Sequence, residues 1–162
     1  MIFVGIDPGK DGVVAVDWGG GKIIVNICPT IKAKKTKRDY LPSEMAKLIP
    51  NNADFVVLEK SQPMPGQGVT SMFSIGQGFG LWEGILAAKG IKYIIVHPKT
   101  WQKEILRDVP GDNTKARAII QAKRLFTDVP LKSERARKDN PNIADALMMM
   151  EYGKREAGNF SV

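Results

Sequence analysis

The order of its apolar segments constrains the fold of this chain more than any other feature. Three short apolar segments, at residues 1–7, 12–16 and 22–28, follow one another with only brief turns between them. This spacing predicts three strands joined as hairpins. Two further apolar segments, 53–58 and 92–96, are separated by a long helical segment instead. Hairpins followed by alternating strands and helices predict an α/β fold built on a sheet of mixed direction.

Helix start and stop residues place the helices around these strands. Ser43 and Pro50 bound the first predicted helix, Gly90 ends the second, and Asn140 with Pro141 begins the last. The predicted helices cover residues 43–48, 70–89, 99–106, 113–126 and 141–154. Two basic segments, 32–38 and 132–138, are predicted to be solvated loops. Without repeats or a low-complexity segment, residues 1–162 are predicted to form a single domain.

The amino-acid composition indicates the kind of partner that the protein binds and the cellular compartment in which it works. The chain has 24 Lys and Arg against 17 Asp and Glu, a net charge of +7, which favours a polyanionic partner such as nucleic acid. Cys28 is the only cysteine, so an internal disulfide and a multi-cysteine metal cage are excluded. A lone thiol, no signal peptide and no apolar segment of about 20 residues together favour the cytoplasm.

Three acids stand at the ends of predicted elements. Asp7 and Glu59 each follow a buried strand, and Asp145 lies in the apolar first turns of the last helix, where it shares a face with Asn142. Clustered carboxylates repel one another unless a cation neutralises them, and oxygen ligands suit Mg²⁺ or Mn²⁺ rather than Zn²⁺. In a basic protein this pattern indicates a nuclease that uses two metal ions. The alternative is an acid that starts a turn or stabilises a helix N-terminus.

Four motifs occur in the order and at the spacing of a known family. GIDPG, VVLEKSQ, the helical GQGFG and NIADAL together resemble the RuvC-type Holliday junction resolvases, over roughly residues 2–155. The resemblance, which is nearest to the phage-encoded branch, implies a ribonuclease H-like fold. That fold is a five-stranded mixed sheet, three antiparallel strands and then parallel ones, with helices on both faces. It also implies a homodimer.

The resemblance assigns site residues by position. Asp7, Glu59 and Asp145 match the catalytic, metal-binding acids of the family. The family has a further acid or histidine three residues before the last acid, where this chain has Asn142. Asp139 is the alternative source of a fourth ligand and catalytic carboxylate. Lys103 and Lys115 match the family's phosphate-binding lysines.

The loop after Glu59 departs from the family, which places an aromatic residue there to stack at the junction. Here Gln62 and Met64 are expected to contact DNA, with Met64 either an apolar wedge between bases or part of a passive loop. From the basic segment, Lys34 and Lys35 are expected to contact phosphates.

Gly76, Gly80 and Gly84 leave one face of the second predicted helix bare. Because each glycine costs a helix about 1 kcal/mol relative to alanine, a close approach is expected there. The neighbour is either the sheet or a second subunit.

The expected function is therefore a Mg²⁺-dependent endonuclease that resolves four-way or other branched DNA by paired nicks. Two Mg²⁺ ions, or Mn²⁺ in their place, would hydrolyse the phosphodiesters, in the host cytoplasm if a phage encodes the chain. Two alternatives stay open at this point. One is a ribonuclease H-like nuclease for an RNA–DNA hybrid or a flap. The other is a junction-binding protein without activity, for which Asn142 is the main support.

Overall fold

The computed structural model describes residues 1–34, 37–62, 64–132 and 136–159, which form seven strands and five helices. The strands are β1 (Phe3–Asp7), β2 (Val13–Asp17), β3 (Ile23–Ile27), β4 (Thr30–Lys34), β5 (Lys37–Tyr40), β6 (Phe55–Glu59) and β7 (Tyr93–Val96). The helices are α1 (Pro42–Leu48), α2 (Val69–Ala88), α3 (Pro98–Ile105), α4 (Thr114–Leu125) and α5 (Pro141–Ala157).

Five strands form the central sheet in the order β3-β2-β1-β6-β7. Strands β1, β2 and β3 pair antiparallel, whereas β1, β6 and β7 pair parallel. This is the mixed five-stranded sheet that the sequence predicted. The parallel register sets Ile6 opposite Leu58, so the next residues along the two strands are Asp7 and Glu59.

Helices cover both faces of the sheet, as predicted, and each face has its own apolar core. Helices α3, α4 and α5 cover one face, where Val57 packs with Trp101 and Leu147. Helices α1 and α2 cover the other, where Leu58 packs with Trp82. Neighbouring strand residues such as Val57 and Leu58 point to opposite faces, so both faces can be apolar. Among the described residues, no helix is long and apolar enough to cross a membrane.

The basic segment 32–38 differs from its prediction as a loop. Its described residues belong to β4 and β5, an antiparallel hairpin outside the central sheet. Tyr40 is buried at the root of the hairpin, and its hydroxyl donates to the Ser74 carbonyl 3.1 Å away. The hairpin was missed because its sequence is almost wholly polar and lacks alternating apolar residues.

The other predicted boundaries agree closely with the structure. Helix α1 begins after Leu41 with Pro42 at its first turn, so Ser43 is not its cap. Helix α5 begins after Asn140 as predicted and ends three residues later than predicted, at Ala157. Within the predicted basic loop 132–138, residues 133–135 lie outside the described part of the chain.

Candidate active site

Two of the predicted acids end neighbouring strands of the sheet. Asp7 is the last residue of β1 and Glu59 the last of β6, and both are partly buried. Because the strands are parallel, their carboxyl ends meet at one edge, which brings the two carboxylates together.

Helix α5 brings the third acid to the same edge. Its N-terminus is fixed by Asn140, whose Oδ1 accepts from the Asn142 amide at 3.0 Å. The helix then crosses β1 at Gly5, where an added Cβ would overlap the Ala146 carbonyl oxygen. Asp145 therefore lies beside the end of β1, in partly buried surroundings.

The charges of these acids act on one another. Burial raises the pKa of Asp7 well above its usual range, and the nearby charges of Glu59 and Asp145 raise it further. Burial, and after it the charge of Glu59, raises the pKa of Asp145 to about 7. The positive charge of Lys115 opposes both shifts. The edge of the sheet thus concentrates negative charge in surroundings that disfavour it.

The carboxylate oxygens of these three acids are suitable ligands for a divalent cation. Three carboxylates that disfavour one another's charge are typical of a site for a hard, oxygen-binding ion such as Mg²⁺ or Mn²⁺. Among the described residues, however, no three His, Cys, Asp or Glu side chains are already arranged to hold a metal ion. Binding would therefore require movement of the side chains that the strand ends and α5 bring into one region.

The two candidates for a fourth ligand lie in different surroundings. Asn142 Nδ2 donates to the Asp11 carbonyl at 2.9 Å, so Asn142 ties α5 to the turn that follows Asp7. Its Oδ1 is the atom that would remain for a metal ion. Asp139 instead pairs with Lys123 of α4 at 2.7 Å, and its charge is not among those that shift the pKa of Asp7 or Asp145. The structure therefore does not bring Asp139 to the three acids.

Glu59 has a partner that the sequence did not reveal. The indole Nε1 of Trp101, a fully buried side chain of α3, donates to Glu59 Oε2 at 2.7 Å. Burial raises the pKa of Glu59, and this hydrogen bond opposes the shift. The residues stand 42 positions apart, so no local motif connects them. The only sequence signal is that α3 directly follows β7, the neighbour of β6.

The predicted phosphate-binding lysines are both exposed. Lys115 lies in the first turn of α4, close enough to lower the pKa of Asp7 and Asp145. Lys103 lies in the last turn of α3, two residues after Trp101.

The two residues predicted to contact DNA in the loop after β6 are also exposed. Gln62 Oε1 lies 3.0 Å from His97 Nε2, so the side-chain amide of Gln62 already has a hydrogen-bond partner. The Met64 side chain is 64% exposed, which leaves it accessible to a ligand.

The basic hairpin stands next to the turn after Asp7. Arg38 Nη2 bonds to Asp11 Oδ1 at 2.8 Å, and Arg38 Nη1 to the Lys10 carbonyl at 3.4 Å. Lys32 pairs directly with Arg38 and so shares its face of the hairpin. Two lysines of this basic segment were predicted to contact phosphates. Lys34 is the last residue of β4, and Lys35 lies outside the described residues.

Helix α2 presents an exposed stripe of apolar and glycine residues. Val69 and Phe73 are 79% and 73% exposed, and Gly76, Gly80 and Gly84 continue the same face. A Cβ at any of these three glycines would meet no atom within 4 Å. The alternative that they allow close packing against the sheet is therefore wrong. The glycine that does allow a close approach is Gly78, where a Cβ would lie 2.6 Å from Tyr40 Cζ.

The mixed five-stranded sheet with helices on both faces matches the predicted ribonuclease H-like fold. Among solved structures, the chain is similar to Thermus thermophilus RuvC in complex with a Holliday junction substrate, with a TM-score of 0.62 and 12% identity over 99% of this chain and 98% of the other. It is also similar to the Thermus thermophilus RuvC structure, with a TM-score of 0.58 and 16% identity over 98% and 96%.

These two similarities confirm the predicted RuvC-type resemblance at the level of the fold. No family model and no curated protein matches the sequence.

Proposed function

We propose that this protein is a metal-dependent endonuclease that cuts branched DNA, with Asp7, Glu59 and Asp145 as its metal-binding acids. The observation that carries the proposal is the meeting of these three partly buried acids at one edge of the sheet, where their charges oppose one another. The fold, similar to that of a RuvC structure bound to a Holliday junction, and the net charge of +7 support branched DNA as the substrate.

Each residue has a distinct part in the proposed reaction. Asp7, Glu59 and Asp145 would hold Mg²⁺ or Mn²⁺, which when bound activates water and stabilises the negative charge of a phosphodiester. Lys115, close to the acids, would hold a non-bridging oxygen of the DNA backbone. Asn142 keeps the turn after Asp7 against α5 through its bond to the Asp11 carbonyl.

The surfaces around the acids are suited to DNA. Lys103 of α3 and Lys32 of the hairpin would add positive charge for the DNA backbone, and Lys34 and Lys35 are proposed from the sequence alone as further phosphate contacts. Met64 and Gln62 lie exposed on the loop after Glu59, where an apolar side chain can enter between unstacked bases. Phosphate contacts would position the duplex arms, and the loop would contact the branch point.

A homodimer forms part of the proposal, because resolving a junction requires two nicks in opposing strands. The exposed stripe of α2 supports it: two large apolar side chains, Val69 and Phe73, adjoin glycines that allow another backbone to come close. We assign this stripe to contact between two copies of the chain.

The proposal is tested by incubating the protein with labelled DNA of four kinds in Mg²⁺, in Mn²⁺ and in EDTA. The substrates are a four-way junction, a flap, an RNA–DNA hybrid and plain duplex of the same sequence. The expected result is metal-dependent paired nicks at the branch point of the junction, with the plain duplex left intact. A matched Asp7→Asn variant should bind the junction without cutting it.

Two other outcomes would replace the proposal with one of its alternatives. Cleavage of the hybrid or flap in preference to the junction would indicate a ribonuclease H-like nuclease of other specificity. Junction binding without cleavage in either metal would indicate a recognition protein, and the amide of Asn142 in place of a carboxylate favours that candidate.

A further inference from the structure

The structure contains two fully buried tryptophans whose indole nitrogens are in opposite situations. Trp82 and Trp101 both have 0% of their surface exposed. Trp82 Nε1 is buried and finds no hydrogen-bond partner among the described residues, whereas Trp101 Nε1 donates to Glu59 Oε2 at 2.7 Å. Within the described part of the chain, the fold therefore tolerates a buried indole without a hydrogen-bond partner, even though leaving such a group unpaired is destabilising. The need of the Trp101 indole for a hydrogen-bond acceptor therefore does not by itself explain why residue 59 is an acid.

The segment that carries Trp101 is fixed to the end of β6 at three points. The Lys60 amide donates to the Val96 carbonyl at 2.8 Å, and Gln62 Oε1 lies 3.0 Å from His97 Nε2. The third point is the bond from Trp101 to Glu59 itself. His97 also caps α3 through its Nδ1, which accepts from the Lys99 amide at 3.3 Å. Apart from its bond to Glu59, the indole is therefore held by core packing, and its segment is held by the Lys60 and Gln62 contacts, which do not involve the Glu59 side chain.

We propose that Trp101 is a positioning residue for Glu59, holding one carboxylate oxygen so that the other is presented to a divalent cation shared with Asp7 and Asp145. Among the described residues, the indole is the one side-chain donor that bonds to this carboxylate. A glutamate has three side-chain torsions to fix, and a rigid neutral donor fixes them without adding a positive charge that would compete with the cation. This inference rests on the proposed function, because it assumes that Glu59 is a metal ligand.

The test compares Trp101→Phe with Trp82→Phe by calorimetric titration of Mg²⁺ and Mn²⁺ into the DNA-free protein. Both variants remove a buried indole from a core helix, but only the first removes a hydrogen bond to Glu59. Losing an outer partner of a metal ligand typically weakens metal affinity by about 10–100-fold. We therefore expect Trp101→Phe to bind the metal at least about tenfold more weakly, and Trp82→Phe to stay within about twofold of the wild type.

A second measurement needs no variant with a disturbed core. The three indole N–H groups of the ¹⁵N-labelled protein belong to Trp18, Trp82 and Trp101. We expect the Trp101 signal to shift in Glu59→Gln. It should also shift on titration with Mg²⁺ and saturate at the same metal concentration as the calorimetric curve, while the Trp82 signal stays in place.

Different failures have different meanings. If the folded wild type binds neither metal, the proposed function and this inference both fall. If the wild type binds metal but Trp101→Phe binds it equally well, or the Trp101 signal ignores both metal and Glu59→Gln, the positioning role alone is wrong.

Discussion

Gly5 of β1 lies directly beneath Ala146 of α5, at the position where the last helix crosses the central strand. A Cβ on Gly5 would overlap the Ala146 carbonyl oxygen and lie 2.5 Å from the Met150 amide nitrogen. Backbone atoms of a helix cannot move aside as a flexible side chain can. This contact therefore sets how closely α5 approaches β1, and with it how closely Asp145 approaches Asp7.

Gly5→Ala should accordingly destabilise the protein and spread the acids apart. Overpacking a core typically costs about 1–3 kcal/mol, and a clash with helix backbone belongs at the upper end of that range. Urea denaturation measures the loss. Gly158→Ala is the matched control, because its Cβ would lie 3.9 Å from the Arg155 carbonyl oxygen and its φ is −65°. Equal midpoints for the two variants would contradict the close approach of α5.

Asp7→Asn should stabilise the protein in EDTA while removing metal-dependent cleavage. The substitution removes a charge that burial and two neighbouring acids disfavour. Thermal unfolding in EDTA should show a higher Tm, by about 2–4 °C for each kcal/mol of relieved repulsion. Asp139→Asn, which instead breaks the pair with Lys123, should keep both cleavage and metal binding. An Asp7→Asn variant that cuts junctions would contradict the metal site.

Stability without metal should fall as the pH rises through the range in which Asp145 ionises. Its pKa is raised to about 7 in the folded protein, against about 3.9 for an unperturbed aspartate. The folded state therefore holds the proton more tightly, and the resulting stability is complete below pH 4 and lost between about pH 4 and 7.

The contribution of Asp145 can be isolated by difference. Subtracting the urea stability of Asp145→Asn from that of the wild type, both in EDTA, should give a value that declines by at most about 1.4 kcal/mol per pH unit. A difference that is constant from pH 4 to 8 would contradict the raised pKa.

Phe73→Glu should convert the proposed dimer to a monomer. Phe73 is 73% exposed in the stripe of α2, and a charge there would be buried against the second copy. Loss of a central apolar contact of this kind typically costs about 2 kcal/mol or more, which is roughly a 30-fold weaker association. Light scattering coupled to size exclusion measures the mass. Leu125→Glu is the control, because Leu125 is an exposed apolar residue (42%) of a different helix, α4. This variant should leave the mass unchanged.

The hairpin lysines should contribute to DNA affinity through phosphate contacts. In Lys32→Ala combined with Lys37→Ala, the slope of log affinity against log salt should become less steep by about two, since each contact contributes about 0.9. The control is the double variant Lys22→Ala with Lys47→Ala. Lys22 precedes β3, at the end of the strands opposite to the acids, and Lys47 lies in α1. Equal slopes for the two double variants would exclude the hairpin from the DNA surface.

The parts of the structure that the sequence predicted are those that depend on local patterns. Asp7 and Glu59 were predicted as site residues because each follows an apolar strand segment, and Asn140 with Pro141 predicted the start of α5 before Asp145. The β4–β5 hairpin was missed because its sequence is almost wholly polar, and the buried residue that anchors it, Tyr40, packs against Gly78 of a distant helix. Nothing within the segment itself reveals that partner.

Other features depended on contacts between distant residues. The bond between Trp101 and Glu59 and the pair between Lys123 and Asp139 join residues that share no motif. The glycines of α2 have an unambiguous pattern but two possible neighbours, and only the structure shows that Gly76, Gly80 and Gly84 face away from the sheet. Sequence periodicity finds the faces of elements, whereas side-chain partners depend on how the elements pack.

A calorimetric titration of Mn²⁺ into the wild-type protein and into Asp7→Asn, Asp145→Asn and Asp139→Asn tests the metal site most directly. We expect saturable binding to the wild type and to Asp139→Asn, and loss of that binding in Asp7→Asn and Asp145→Asn. Equal binding by all four proteins, or none by the wild type, would contradict a metal site built from Asp7, Glu59 and Asp145.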